Sequence, residues 1–366
     1  ARDVAVDASG GVYMLTDKPS TLVKYSSGGA IAWTRSYANP LYCIERFGRV
    51  VVRGSEEYVS AKVNLTVTYC GNGETRRALN VVAYQSTGAP AFADFTWIPP
   101  WGEVEPGPLA CSPGGDIFVG CSTRTGTGGS ATMYQSVVAF SAVGTVMWTR
   151  TVAVVGPQQS EEMTGIGIDA GLNVYALGVG SDVAQNTVMR VTKMDYGGNW
   201  LWTVTVTGGL PFSYPTGMAV DSAAGRIYLS GAESDNIQSP TVLRGAIVGL
   251  DTNGNKVWTR SNHGGQLMLY WDVAVNASGT VFATGVICST VNLSSQKEGI
   301  DAVGTGDIIV DAYDPTDPCP APAWSTRWDS GLGDEEGVAI AAGSVAVVGR
   351  TPQGPRILKY GEGSAD

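Results

Sequence analysis

Gly217-Met218-Ala219-Val220-Asp221, Gly225-Arg226-Ile227-Tyr228-Leu229, Gly245-Ala246-Ile247-Val248-Gly249-Leu250, and Asn253-Gly254-Asn255 leading into Val257-Trp258-Thr259-Arg260 are consecutive runs of one stretch. Each run is apolar or alternating and rich in β-branched and aromatic residues, with Gly, Asn or Ser222-Ala223-Ala224 between them. Short runs of this kind between turn formers read as β-strands joined by hairpins. The stretch therefore predicts about four antiparallel strands.

The same unit recurs through the 366 residues. Its first copy is Asp3-Val4-Ala5-Val6-Asp7, Gly11-Val12-Tyr13-Met14-Leu15, Leu22-Val23-Lys24-Tyr25 and Ala32-Trp33-Thr34-Arg35. A second begins at Tyr42-Cys43-Ile44 and Val50-Val51-Val52, takes an insertion of about twenty residues, and resumes at Val81-Val82-Ala83-Tyr84 and Phe95-Thr96-Trp97. Pro99-Pro100-Trp101 and Glu103-Val104-Glu105-Pro106 then read as a proline-stiffened crossing. The third copy is Leu109-Ala110-Cys111, Asp116-Ile117-Phe118-Val119, Val137-Val138-Ala139-Phe140 and Val146-Met147-Trp148-Thr149-Arg150. Its Ser-, Thr- and Gly-rich connection over 122–131 is expected to be a mobile surface loop.

The fourth copy holds Gly165-Ile166-Gly167-Ile168-Asp169, Val174-Tyr175-Ala176-Leu177, Met189-Arg190-Val191-Thr192-Lys193 and Leu201-Trp202-Thr203-Val204, and the fifth is the opening stretch. The sixth runs from Asp272-Val273-Ala274-Val275-Asn276 and Val281-Phe282-Ala283, past an insertion over 288–306, to Ile308-Ile309-Val310 and Trp324-Ser325-Thr326-Arg327. A seventh has Gly337-Val338-Ala339-Ile340, Val345-Ala346-Val347-Val348 and Ile357-Leu358-Lys359-Tyr360. Gly361 to Asp366 then occupies the place of the turn before a Trp-Thr-Arg strand.

Four-stranded units repeating at roughly 50 residues predict a β-propeller, in which each small sheet buries its faces only against its neighbours. The expected fold is all-β: one seven-bladed β-propeller domain over residues 1–366, with blades at 1–40, 41–107, 108–162, 163–214, 215–266, 267–334 and 335–366, the last lacking its outer strand. Charged residues at 15% and 49 glycines suit strands and tight turns better than surface helices, and no sustained 3.6-residue apolar period appears.

In its repeated Gly-[Ile/Met/Val]-[Ala/Gly]-[Val/Ile]-Asp, Gly-X-[Val/Ile]-Tyr and Asp251-Thr252-Asn253-Gly254-Asn255 before Trp-Thr, the chain resembles the SBBP-type β-propeller repeat family. The resemblance covers nearly the whole chain, with copies one, four and five closest to the pattern and copy two furthest from it. It implies the fold and a secreted or cell-surface setting, and it brings no shared catalytic motif.

The formal net charge of −10 argues against a nucleic-acid backbone as partner, since phosphate binding needs a basic surface. No apolar run reaches the roughly 18 to 20 residues of a membrane span, and no signal peptide stands at the start. The chain starts at Ala1 rather than Met, as a processed mature protein or an excised piece would. Sequons at Asn64, Asn276 and Asn292 point to glycosylation and an extracellular or cell-surface protein. Cys43, Cys70, Cys111, Cys121, Cys288 and Cys319 are disulfide candidates with no Cys-X-X-Cys spacing, and Cys43 with Cys70 would tie down an insertion. The competing reading is that several are free, buried thiols.

Asp7, Asp169 and Asp221, with Asn276 at the same place in copy six and Ala341 in copy seven, read as turn residues that cap backbone amides, or else as metal ligands. Glu161 and Glu162, and Asp334, Glu335 and Glu336, cluster ahead of first strands as candidate calcium ligands or as a solvated acidic rim. No other cofactor is expected. Trp97, Trp101, Tyr214, Tyr270 and Trp271 offer surfaces for carbohydrate or protein, against burial in the core. His263, the single histidine, has no identifiable nucleophile near it in sequence, and Lys193-Met194-Asp195-Tyr196-Gly197-Gly198-Asn199-Trp200 does not match a sialidase Asp-box.

These residues predict a non-catalytic extracellular binding or structural module, a glycosylated scaffold or adhesion component of a surface assembly or filament. The alternative is a carbohydrate-active or quinoprotein-like enzyme with a site on the propeller axis. Ile357, Leu358, Lys359 and Tyr360 form an expected edge strand, to which a protein partner or a further copy would add the missing strand.

Overall fold

The computed structural model describes residues 3–17, 20–36, 42–53, 56–67, 74–90, 95–99, 103–125, 132–155, 163–181, 186–207, 209–235, 242–262, 267–288, 291–293, 300–302, 306–317, 321–329, 336–341, 345–351 and 354–360. Among them are 29 strands and no helix, hence none long and apolar enough to cross a membrane. The architecture is all-β, built of consecutive antiparallel meanders.

Two units divide the chain, one of residues 2–166 and one of residues 167–366. The first unit contains β1 (Asp3–Val6), β2 (Val12–Asp17), β3 (Ser20–Tyr25) and β4 (Ile31–Ser36) as one sheet. Its second sheet is β5 (Tyr42–Arg53), β6 (Glu56–Val67), β7 (Glu74–Gln85) and β8 (Phe95–Trp97). The third is β9 (Glu103–Cys111), β10 (Ile117–Thr125), β11 (Thr132–Phe140) and β12 (Val146–Val155).

The division falls inside β13 (Met163–Ile168), which opens a fourth sheet with β14 (Val174–Ser181), β15 (Thr187–Met194) and β16 (Trp200–Val206). The second unit continues with β17 (Phe212–Asp221), β18 (Arg226–Ser234), β19 (Leu243–Asp251) and β20 (Lys256–Asn262). Its next sheet joins β21 (Leu267–Val275), β22 (Val281–Cys288), β25 (Asp307–Tyr313) and β26 (Trp324–Trp328), with β23 (Val291–Leu293) and β24 (Ile300–Ala302) forming a hairpin in the insertion. The seventh sheet has β27 (Glu336–Ala341), β28 (Ala346–Thr351) and β29 (Gly354–Lys359).

Burial follows strand position. Middle strands are covered on both faces, so β18, β19 and β25 are buried almost throughout, which explains their continuous apolar runs. Fourth strands alternate instead: along β4, Trp33 and Arg35 turn inward while Ala32, Thr34 and Ser36 are exposed. Neighbouring sheets share apolar layers, as where Tyr13, Leu15 and Leu22 meet Val50, Val82 and Tyr84, and where Tyr228 and Ile247 meet Tyr270, Ile309 and Tyr313.

Three sequence expectations are corrected. The supposed insertion of copy two is strand β6, paired with β5 over Tyr42↔Leu65 to Arg53↔Glu56 and with β7 over Glu56↔Gln85 to Val67↔Glu74. Its alternation of Val59, Ala61, Val63, Leu65 and Val67 with polar residues is a strand pattern, hidden because the run is twice as long as in the compact copies. The proline-stiffened crossing over Glu103–Pro106 belongs to β9, where a register shift opposite Val119 and Cys121 accommodates prolines that cannot donate to the ladder. Residues 122–125 of the expected mobile loop extend β10, with Ser122 and Thr123 buried.

Candidate functional site

Each sheet is a meander, so the first-to-second and third-to-fourth hairpins lie at one end. The second-to-third connections and the crossings to the next sheet lie at the other. Nine of these hairpins, among the described residues, share one turn design: the N–H of the first residue donates to the C=O of the fifth, and the N–H of the fourth donates to the C=O of the first. The fourth residue has positive φ, hence Gly10, Gly29, Gly88, Gly115, Gly144, Gly198, Gly254 and Gly279, with Leu172 in the remaining turn.

This geometry assigns the recurrent acids. Asp7 Oδ1 accepts the N–H groups of Ser9 at 3.0 Å and Gly11 at 2.8 Å. Asp169 Oδ1 accepts Asn173 N–H at 2.9 Å, Asp251 Oδ1 accepts Asn253 and Asn255 at 2.9 Å, and Asn276 Oδ1 accepts Ser278 at 3.1 Å and Thr280 at 2.9 Å. Asp221 caps Ala223 and Ala224 in a different turn, both at 3.0 Å. The turn reading holds for all of them.

Burial works to raise the Asp7 pKa, but hydrogen bonds from Ser9, Gly11, Tyr13 and Lys24 outweigh it and hold it at about 2. Asp169 is likewise lowered, burial being overcome by Asn173 and Tyr175. A depressed carboxylate contributes stability that is complete above its unfolded pKa and is lost as pH falls through the folded value. The stability gap between wild type and Asp7→Asn should therefore shrink as pH falls from the usual 3.8 towards about 2. Urea unfolding across this range checks it; a constant gap would show that the charge contributes nothing.

The Trp-Thr-Arg strands are seams between sheets. Trp33 Nε1 donates to Ser86 O at 2.9 Å in the second sheet, and Trp202 Nε1 to Thr252 O at 3.2 Å in the fifth. Lys24 and Lys193 donate to the same two carbonyls at 3.3 and 3.0 Å. Arg35 lies over Trp33 and donates to Gly88 O at 2.6 Å; Arg260 lies over Trp258 and donates to Asp317 O at 2.6 Å. First strands are stitched too: Asp3 Oδ2 accepts Val50 N–H at 2.6 Å, Asp272 Oδ2 accepts Ile340 N–H at 3.1 Å, and Thr216 Oγ1 donates to Tyr270 O at 2.8 Å.

Aromatic candidates for ligand stacking are part of this framework. Trp97 packs against the layer of Leu79, Val104 and Leu109, while Tyr214 and Trp271 pack beside Ala232, Leu243 and Leu269. Burial pushes the Tyr214 phenol up to about 12. Tyr270 is fully buried and donates to Asp311 Oδ2, and its hydroxyl lies 2.8 Å from that of Tyr313. Burial, then the Asp311 charge, holds the Tyr270 pKa well above its ordinary range.

The connection-bearing end of the fifth sheet carries a group that sequence reasoning missed. Glu233, at the end of β18, is fully buried; it accepts the Gly209 N–H at 2.9 Å and the Ser261 hydroxyl at 3.4 Å. Arg244 sits opposite it in register on β19, with its Nε buried and without a hydrogen-bond partner among the described residues. In the sixth sheet Asp307, also buried, pairs with Arg327. The available signal was an acid interrupting an apolar strand, as at Ala232-Glu233 and Val310-Asp311.

Glu161, Glu162, Trp101, His263, Asp334 and Glu335 lie outside the described residues, and Glu336 is described by its place in β27 alone. Among the described residues no three His, Cys, Asp or Glu side chains gather as a metal site. Asn64 lies on β6 and Asn292 on β23, while Asn276 closes the β21–β22 hairpin. Cys121 is wholly buried and, among the described residues, a free thiol, which burial pushes up to about 12. Cys111 Sγ lies 3.4 Å from Ser112 O; Cys43 and Cys288 are described by strand position alone, and Cys70 and Cys319 lie outside the described residues.

No family model and no curated protein matches the sequence. In fold the chain is similar to a virginiamycin B lyase from Staphylococcus aureus, with a TM-score of 0.58 at 11% identity over 98% of this chain and 93% of the lyase. It is also similar to a protein of unknown function from Dyadobacter fermentans, with a TM-score of 0.55 at 11% identity over 88% of this chain and 94% of that one. An ancestral GH74 enzyme gives a TM-score of 0.53 at 14% identity over 95% of this chain, which spans 43% of the enzyme's length. These neighbours are β-propeller-like, and at such identities the likeness is one of fold alone.

Proposed function

We propose that the chain is a non-catalytic binding or structural module: a seven-bladed β-propeller of SBBP type that works outside the cell as a glycosylated scaffold or adhesion component of a surface assembly. One observation carries this reading. The recurrent carboxylates are committed to the framework, Asp7, Asp169, Asp221 and Asp251 to turns, Asp3 and Asp272 to neighbouring strands, and Asp307 to Arg327. A hydrolytic site needs carboxylates held ready for substrate instead.

Intact-mass and glycopeptide analysis of protein from its native source tests the extracellular part. Glycopeptides are expected at Asn64, Asn276 and Asn292. A bare polypeptide mass would remove the glycosylated scaffold from consideration. A second reading, the carbohydrate-active enzyme, is favoured by fully buried Glu233 beside Arg244 at the connection-bearing end of the fifth sheet. Polysaccharide hydrolysis that Glu233→Gln abolishes would establish that reading in place of the scaffold.

A further inference from the structure

Among the described residues tyrosines donate to aspartates in three sheets, and the third case differs from the other two. Tyr13 donates to Asp7 Oδ2 at 3.0 Å, and Tyr175 to Asp169 Oδ2 at 2.7 Å. At both acids burial is outweighed by hydrogen bonds from the turn, Ser9 and Gly11 at one and Asn173 at the other. Their pKa therefore stays low, and they accept a proton poorly. Tyr270 donates instead to Asp311 Oδ2, on strand β25 rather than in a turn, and both residues are fully buried. Tyr313 completes the group: its hydroxyl lies 2.8 Å from that of Tyr270 and 3.5 Å from Asp311 Oδ2. Water is kept from this carboxylate, and its surroundings penalise the charge.

An aromatic ring leads to this group from the outer strand of the fifth sheet. Half-buried Trp258 packs edge-on against Tyr313, with ring centroids 5.9 Å apart and planes at 81°. The two π systems touch, which makes the pair a route for an electron. Trp33 and Trp202 donate their Nε1–H groups to carbonyls, whereas Trp258 Nε1 is buried without a hydrogen-bond partner among the described residues. The Arg260 guanidinium lies 4.7 Å from the centre of the Trp258 ring. An oxidised Trp258 would thus stand beside a positive charge with nowhere described for its proton to go, so it is a poor resting place for the missing electron.

We propose that Tyr270, Tyr313 and Asp311 form a radical-holding site, which Trp258 connects to the outer strand. A one-electron oxidant removes an electron from Trp258. Tyr270 refills it through Tyr313, and the Tyr270 proton passes along its existing hydrogen bond to Asp311 Oδ2. The products are restored Trp258, a neutral phenoxyl and a neutral carboxyl group. Oxidation thereby removes a negative charge from a place where charge is costly, a gain that a phenol in water does not have. A one-electron reductant such as a thiol or ascorbate returns the electron, and the proton moves back to Tyr270. The activity is the capture of oxidising equivalents where the radical cannot reach a second molecule, and it stands apart from the scaffold reading.

The test uses the full chain with photogenerated ruthenium(III) tris-bipyridine as oxidant, followed by time-resolved absorption and freeze-quench electron paramagnetic resonance. A phenoxyl radical that outlives those of exposed tyrosines is expected. Asp311→Asn keeps both phenols and an oxygen for the Tyr270 hydroxyl but cannot take the proton, and the long-lived signal should be lost. Trp258→Phe should slow the appearance of the signal several-fold and leave its lifetime unchanged, which loss of packing alone would not do. Circular dichroism establishes that each variant is folded. If Asp311→Asn does not fold, Tyr270→Phe with Asp311→Leu removes donor and acceptor together and should also abolish the signal. No long-lived phenoxyl in the wild type, its persistence in either acid variant, or its appearance at the wild-type rate in Trp258→Phe overturns the proposal.

Discussion

Gly285→Ala is expected to lower the melting temperature of the unit of residues 167–366 by roughly 10 °C, corresponding to about 3 kcal/mol. A Cβ at Gly285 would stand 1.9 Å from the Leu269 carbonyl oxygen and 2.8 Å from Tyr270 Cα. Both are main-chain atoms of β21, so no rotamer change relieves the clash. The cause is a bulge: between Tyr270 and Asp272 the register of β21 shifts by one residue, and the extra residue drives a carbonyl into the facing strand. The same device recurs at Gly231, where a Cβ would lie 2.0 Å from Tyr214 O opposite the Pro215/Gly217 shift. Gly29→Ala separates space from backbone conformation, because nothing lies within 4 Å of a Cβ there and only the φ of +85° is unfavourable. That substitution should cost about 1 kcal/mol. Thermal melts of the two variants decide the matter; equal losses would refute the bulge explanation.

The second large effect is expected at the buried Tyr270–Asp311–Tyr313 cluster. Asp311 and Tyr270 are fully buried within the layer between the sheets of β17–β20 and β21–β26. Tyr270→Phe removes a donor from a carboxylate that has no access to water, and should cost about 3 kcal/mol. Replacing the acid together with its donor, Tyr270→Phe with Asp311→Leu, removes the charge as well as the bond. The double variant should be more stable than Tyr270→Phe alone. Urea midpoints at unchanged slope measure the cycle. Additive losses would mean that the phenol and the carboxylate do not act as a pair.

Much of this framework is legible in residue order. The Asp-X-X-Gly-X turns, the strand-two aromatic and the Trp-Thr-Arg motif recur at one spacing, and short-range rules suffice to read them as hairpins and strands. The β6 strand was obscured because its own alternation, though present, departs from the length of the other copies. For the candidate site the sequence identified which acids stand in turns, since an Asp caps amides only two to four residues away.

Residue order alone determined that the chain is all-β and that it repeats, because alternation and turn chemistry are local properties of the backbone. Only the tertiary structure decided what the repeated residues do. Trp33 and Arg35 are seam residues because the turn they reach, Ser86 to Gly88, lies about fifty positions away in another sheet. Gly285 is required by a carbonyl of the facing strand, and Leu358 is half-buried by the lack of a covering strand in its sheet among the described residues. Such roles depend on steric exclusion and hydrogen bonding between segments distant in the chain, and those distances exist only once the sheets have packed.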